Sequence, residues 1–162
     1  MSGRLSRRAL FDGGWHGRPV TIRPPWTPPE AEFTDRCTGC GDCIPVCPQR
    51  ILVKGRAGYP VVDFARGACD FCGACAKACP ESLFASQENT PWNIKARAGA
   101  DCLSTRGVTC RVCAEWCDAR AIRFRLEVGG RANPKISDAA CTGCGECVAV
   151  CPANAIAMEE NE

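Results

Sequence analysis

Apolar residues in this chain come in short bursts that recur at matching places. Apolar pairs stand at Ile51-Leu52, Leu83-Phe84, Ala121-Ile122 and Ala155-Ile156. Over residues 122–128 the pattern alternates, with Ile122, Phe124, Leu126 and Val128 on one side, the period of a half-buried strand. Gly129-Gly130-Arg131 then turns the chain, and residues 133–137 read as the returning strand. An earlier copy runs through residues 51–53, a loop at 54–58, and residues 59–64. Pro60 and Pro134 occupy equivalent places and suit edge strands, because proline has no N–H to give a ladder. Each apolar pair is expected to start a strand after a short helix, so the body reads as an internal repeat.

The expected fold is α+β. Two tandem modules of short hairpins and short helices cover residues 35–88 and 96–162, and turn formers from Gln87 to Pro91 join them. Residues 1–34 form a basic arm. Pro19, Pro24, Pro25, Pro28 and Pro29 disfavour helix there and predict extended backbone. Trp15 and Trp26 are unusual in a solvated tail and are expected to pack. Trp92, Trp116 and Tyr59 are likewise read as packing residues, with Trp116 placed to shield its neighbour Cys117.

Composition changes the picture. Sixteen of the 162 residues are cysteine. Without them the apolar supply is roughly a third of the chain, thin for a self-sufficient core. The net charge is +2. Arg4, Arg7, Arg8, Arg18 and Arg23 make the arm basic, while the body is near neutral. Arginines without base-reading motifs argue against nucleic acid as a partner. No stretch approaches the roughly 18 apolar residues of a membrane span, so no membrane insertion is expected. Ser6-Arg7-Arg8-Ala9-Leu10-Phe11 looks like a twin-arginine export signal. Asp12, His16, Arg18, Pro19 and Arg23 then leave no apolar h-region, so a cytoplasmic location is expected. A chance basic tail accounts for the paired arginines as well. His16 is lone and suggests solvation rather than metal binding.

The cysteines carry the chemistry. Three groups read C-x2-C-x2-C-x3-C-P: Cys37, Cys40, Cys43, Cys47; Cys69, Cys72, Cys75, Cys79; and Cys141, Cys144, Cys147, Cys151. Pro48, Pro80 and Pro152 follow them. This is the bacterial run for a [4Fe–4S] cluster. Cys102, Cys110, Cys113 and Cys117 form a stretched copy with Asp118 in place of the proline. Zinc sites pair well-separated C-x2-C units, which triplets at this spacing do not match. A disulfide scaffold needs an oxidising compartment, and cysteines three apart in tight loops are poor partners for one another. Cysteines at i, i+3 and i+6 wrap three corners of a cubane, with small residues such as Gly39, Gly41, Gly73, Ala74, Gly143 and Gly145 between them. The fourth cysteine, expected on a short helix, does not easily reach the same cubane.

The motifs resemble those of two-cluster ferredoxins, in which the fourth cysteine ligates the other cluster. That resemblance implies four [4Fe–4S] clusters in two ferredoxin-like bicluster modules. Cluster one takes Cys37, Cys40, Cys43 and Cys79; cluster two takes Cys69, Cys72, Cys75 and Cys47. Cluster three takes Cys102, Cys110, Cys113 and Cys151; cluster four takes Cys141, Cys144, Cys147 and Cys117. Two readings stay open for the stretched quartet: a fourth site, or a degenerate motif without iron. Arg106, Arg111 and Arg120 lie close to it in sequence and favour a raised potential and easier loss of that cluster, unless solvent screens them.

Ser6-Arg7-Arg8, Ile22-Arg23-Pro24-Pro25-Trp26, Gly58-Tyr59-Pro60 and Cys79-Pro80-Glu81-Ser82-Leu83-Phe84 add a narrower resemblance. They resemble the NapF family of ferredoxin-type proteins, encoded with the periplasmic nitrate reductase of bacteria. The resemblance implies a cytoplasmic accessory protein that interacts with the nitrate reductase catalytic subunit and assists its maturation before twin-arginine export, by electron transfer or cluster assembly. It implies no catalysis by this chain, in which no catalytic constellation is found. The alternative is a general polyferredoxin electron carrier or an electron-transfer subunit of an oxidoreductase; the near-neutral body speaks against a stand-alone carrier with an acidic docking face. A redox sensor acting on nucleic acid has no motif to support it.

Overall fold

The computed structural model describes residues 21–161. Arg4, Arg7, Arg8, Trp15, His16, Arg18 and the twin-arginine-like start lie outside the described residues. The elements run α1 (Glu30–Arg36), β1 (Leu52–Lys54), β2 (Pro60–Val62), α2 (Ala74–Lys77), β3 (Ile94–Ala98), α3 (Val112–Glu115), β4 (Ile122–Leu126), β5 (Ala132–Ile136), α4 (Glu146–Ala149) and β6 (Ile156–Glu160). Three antiparallel two-stranded sheets form: β1 with β2, β4 with β5, and β3 with β6. Among the described residues, no helix is long and apolar enough to cross a membrane.

Both expected hairpins are present, and their registers correspond. Leu52 faces Val62 and Val53 faces Val61 in the first. Ile122 faces Ile136 and Arg123 faces Lys135 in the second. The repeat also extends into the backbone. Arg50, Ser82, Arg120 and Asn154, each three residues past the fourth cysteine of its motif, all have left-handed φ, between 46° and 55°. Each donates its N–H to that cysteine's carbonyl, at 2.8–3.4 Å. The tight turn then drives the next residue, Ile51, Leu83, Ala121 or Ala155, into the interior.

Several expectations are corrected. Leu83-Phe84 starts no strand; the chain there is engaged by the arm, with the Ala85 N–H on the Trp26 carbonyl at 2.8 Å. The arm is not wholly extended, for α1 begins inside it. Pro29 stands at the N-cap, where a missing N–H costs nothing, and Glu30 and Glu32 favour the first turn. The short helices carry the third cysteine of a motif, Cys75, Cys113 or Cys147, and the fourth follows just past the helix end. The β3–β6 sheet joins segments about sixty residues apart, with Ile94 opposite Glu160 and Ala98 opposite Ile156. β3 begins at Ile94, ahead of the boundary at residue 96.

The two modules are packed on each other. Phe64, two residues past β2, is buried with Ile94, Ala96, Cys113, Ile122, Cys147, Ile156 and Met158. Its ring stacks edge-on against Trp92 at 5.8 Å between centroids. It also fills the space beside Gly145 (φ +84°), where an added Cβ would lie 2.0 Å from the Phe64 ring. Gly145→Ala is therefore expected to destabilise by about 2–4 kcal/mol, combining left-handed strain with overpacking. Gly129 has a similar φ of +85° and nothing within 4 Å, so Gly129→Ala bears the backbone term alone. Thermal midpoints of the two iron-loaded variants check this; equal shifts would refute the close fit of Phe64.

Trp26 anchors the arm as expected. It is buried, and its indole Nε1–H donates to the Asn89 carbonyl at 3.0 Å. Arg23 holds Glu30 with two hydrogen bonds, at 2.8 and 2.6 Å, donates to the Pro60 carbonyl at 3.0 Å, and covers the Phe33 ring. The bidentate hydrogen bond holds the Glu30 carboxyl below its ordinary range.

Candidate iron–sulfur centres

Each motif loop delivers its cysteines by the local geometry just described. Left-handed glycines turn the first, second and fourth loops, a four-residue helix positions the third cysteine in all but the first, where Cys43 lies in a turn, and the chain leaves through the fourth. The sixteen sulfurs gather around four cavities of similar size, about 360, 340, 370 and 350 Å³ including the space open to solvent at their mouths. The first is lined by Cys37, Cys40, Cys43 and Cys79, the second by Cys47, Cys69, Cys72 and Cys75. The third is lined by Cys102, Cys110, Cys113 and Cys151, the fourth by Cys117, Cys141, Cys144 and Cys147. In every cavity the fourth sulfur comes from the neighbouring motif. The third cysteine is the buried one in each, and it belongs to the hydrophobic core as well as to the cavity.

The stretched quartet has a structural cause. Its first cysteine does not come from the motif loop but from a turn after β3, where the Cys102 N–H donates to the Gly99 carbonyl at 3.2 Å. That turn is tied to β5 by the Ala132 N–H on the carbonyl of buried Ser104, at 3.1 Å. Arg111 stands where the other loops have a left-handed glycine, and its φ of −137° is one any residue adopts. Cys102 thus arrives from a separate segment, so the loop needs no second tight turn. Of the nearby arginines, Arg111 covers the Phe124 ring, which lines the third cavity. Arg106 lies 3.8 Å from Asp101, which offsets its charge. Trp116 is not the packing residue expected; it is 57% exposed.

The donor sets fit an iron–sulfur group. Burial pushes the thiols of Cys43, Cys69 and Cys147 up to about 12, and those of Cys75 and Cys113 to about 11. Without iron these five buried sulfurs are held as neutral thiols, first because burial disfavours the thiolate and then because neighbouring thiolates repel. A bound metal group supplies the positive charge that lets the sulfurs ionise, and binding releases the protons. Backbone donors already point at sulfur: the N–H groups of Phe71, Ala121 and Ala155 lie 3.4, 3.3 and 3.3 Å from the sulfurs of Cys69, Cys117 and Cys151. Such bonds tune a cluster's potential. Between the modules, the Cys69 N–H donates to the Cys144 carbonyl at 2.8 Å, which joins the second loop directly to the fourth.

Sixteen cysteines disposed this way in paired motifs define a ferredoxin of the dicluster type, built twice. The family model of the 4Fe-4S dicluster domain matches residues 36–84, and a second dicluster model matches residues 107–155. The chain is 44% identical to the ferredoxin-type protein NapF of Haemophilus influenzae, over 99% of this chain and 91% of that protein. It is 42% identical to NapF of Escherichia coli K12, over 95% of this chain and 94% of that protein. More distantly, it is 30% identical to the methylamine utilization ferredoxin-type protein MauM of Paracoccus denitrificans, over 80% and 66% of the two chains. The chain belongs to the NapF family of ferredoxin-type proteins.

Proposed function

We propose that this protein is a cytoplasmic iron–sulfur accessory protein that interacts with the catalytic subunit of periplasmic nitrate reductase and assists its maturation before twin-arginine export. Its means would be electron transfer or cluster assembly. The observation that carries this reading is the match to NapF proteins over nearly the whole chain, arm included.

In this reading the four quartets named above hold four [4Fe–4S] clusters. When bound, these supply one-electron chemistry at low potential. The chain's own part is to hold the four sites in order. Cys43 and Cys75 share the first module's core, and Cys113 and Cys147 share the second's. The Cys69–Cys144 hydrogen bond links the second site to the fourth. The order of sites is then one, two, four, three, with an outer site at each end. Anaerobically purified protein is expected to hold about 16 iron atoms per chain with matching sulfide; about 12 would mean that the stretched quartet is empty.

The functional test is anaerobic co-purification from cytoplasm with the catalytic subunit precursor. Recovery of the precursor with its export signal uncleaved is the expected result. Failure ever to recover it, with fast and interchangeable reduction of unrelated acceptors, would favour a general electron carrier instead.

A further inference from the structure

The second hairpin carries charge that folding does not explain. Residues 119–137 hold Arg120, Arg123, Arg125, Arg131 and Lys135 against a single carboxylate, Glu127. Arg123 lies directly opposite Lys135 in the register, and like charges so placed destabilise a sheet. Arg123, Arg125, Arg131 and Lys135 are all exposed. The ion pairs found among the described residues involve none of them. Glu127, the one local carboxylate, is held by the side-chain amide of Asn133.

The repeat provides an internal control. By position after the fourth cysteine, Arg123 corresponds to Val53; by distance from the hairpin proline, Lys135 corresponds to Val61. Val53 and Val61 also face each other, half-buried, and the arm runs along that hairpin's edge through the Val62 N–H on the Ile22 carbonyl at 2.8 Å. One copy of the pair is thus apolar and half-buried, and the other is cationic and exposed. The open hairpin's inner residues, Phe124 and Pro134, face each other and line the third cavity. Its tip presents Leu126 and Val128, 73% and 100% exposed.

We infer that the outer face of the β4–β5 hairpin is a docking surface for an acidic protein face, one that brings the partner's redox group beside the third cavity. Charge complementarity selects the occupant: a row of unpaired cations favours a carboxylate-rich surface and accelerates its approach. Leu126 and Val128, which the alternation puts on the side of Phe124, add apolar contact at the tip, along the edge of that face. Two apolar side chains are too few for a lipid surface to be the favoured occupant, and the cavity behind the sheet gives a protein partner something to reach. This inference rests on the proposed function, since it takes the nitrate reductase catalytic subunit precursor as that partner.

The test uses the iron-loaded full chain with Arg123→Glu, Arg125→Glu and Lys135→Glu combined, beside a control with Arg56→Glu and Lys77→Glu on the first module. Iron content and EPR spectra establish that both variants keep their clusters. Binding to the purified precursor is measured as a function of ionic strength. The hairpin variant is expected to bind roughly tenfold or more weakly, with a flattened salt dependence, while the control is unchanged. Undiminished binding by the hairpin variant would overturn the docking surface and leave the proposed function standing. No binding by the unaltered protein would overturn both. Two further outcomes would also overturn the inference. One is retention on phosphatidylglycerol vesicles but not phosphatidylcholine, abolished by the hairpin variant without any loss of precursor binding. The other is self-association of the chain that the hairpin variant alone abolishes.

Discussion

Cys79→Ala is expected to empty the site of Cys37, Cys40 and Cys43, and to leave intact the site of Cys72, its own motif neighbour. Iron should fall from about 16 to about 12 atoms per chain. The decisive measurement is a pair of double variants. Cys40 and Cys72 are both exposed, so replacing either removes a ligand without opening the core. Cys79→Ala with Cys40→Ala strikes one cavity twice, and iron should stay at about 12. Cys79→Ala with Cys72→Ala strikes two cavities, and iron should fall to about 8. Were ligation confined to each motif, the two doubles would exchange places. The ground for the prediction is geometric. The third cysteine lies within a four-residue helix and the fourth two residues past its end, so the two sulfurs face different cavities, and the partner motif lines the remaining corner.

The iron-free chain is expected to lack a cooperative thermal transition and most of its far-UV signal. One buried cluster of the first module is made of three residues, and two of them, Cys43 and Cys75, are cysteines proposed to hold iron. The second core likewise contains Cys113 and Cys147. Two-stranded sheets are marginal in water, and helices of four residues lie far below the length at which nucleation is recovered. What holds these elements is the set of crosslinks that four sulfurs make through each site, so ligation is coupled to folding. Calorimetry of protein purified without iron checks this. A sharp endotherm from the iron-free chain would show that the apolar contacts suffice.

The hairpins, the repeat and the cysteine groups were legible because each is written locally: alternation at Ile122–Leu126, prolines at matching offsets, and invariant spacings. The parts that escaped are set by distant or subtle terms. β3 alternates Ile94, Ala96 and Ala98 with Lys95 and Arg97, but alanine is a poor strand signal and its partner β6 lies at the far end of the module. The helix α1 was hidden by the prolines before it, which start a helix as readily as they prevent one. The distance of Cys102 from its motif was visible, but not its reason, because the turn after β3 that carries it depends on the unforeseen sheet. The exchange of the fourth cysteine was implied by resemblance alone; which sulfurs line each cavity depends on how neighbouring motifs pack, which no spacing within a motif records. The cationic hairpin face was visible as arginines in sequence, but not the pairing of Arg123 with Lys135, which depends on the register of the hairpin.

The fit of Phe64 beside Gly145 bears on how far such a repeat can grow. Phe64 is a plug that the first unit offers to the loop of the next. The matching loop of the first unit, at Gly73, is occupied by the Gln87 side chain of that same unit. The residue corresponding to Phe64 in the second unit is Asp138, as the N–H groups before each, Asp63 and Ser137, both bond the residue after a left-handed turn, Ile51 and Ala121. Asp138 is an exposed carboxylate clasped by Arg97 and offers no plug to a third unit. Stacking by plug and socket would otherwise be an open-ended polymerisation. Here the first unit fills its own socket and the second offers a carboxylate in place of a ring, so the plug and socket join only these two units to each other.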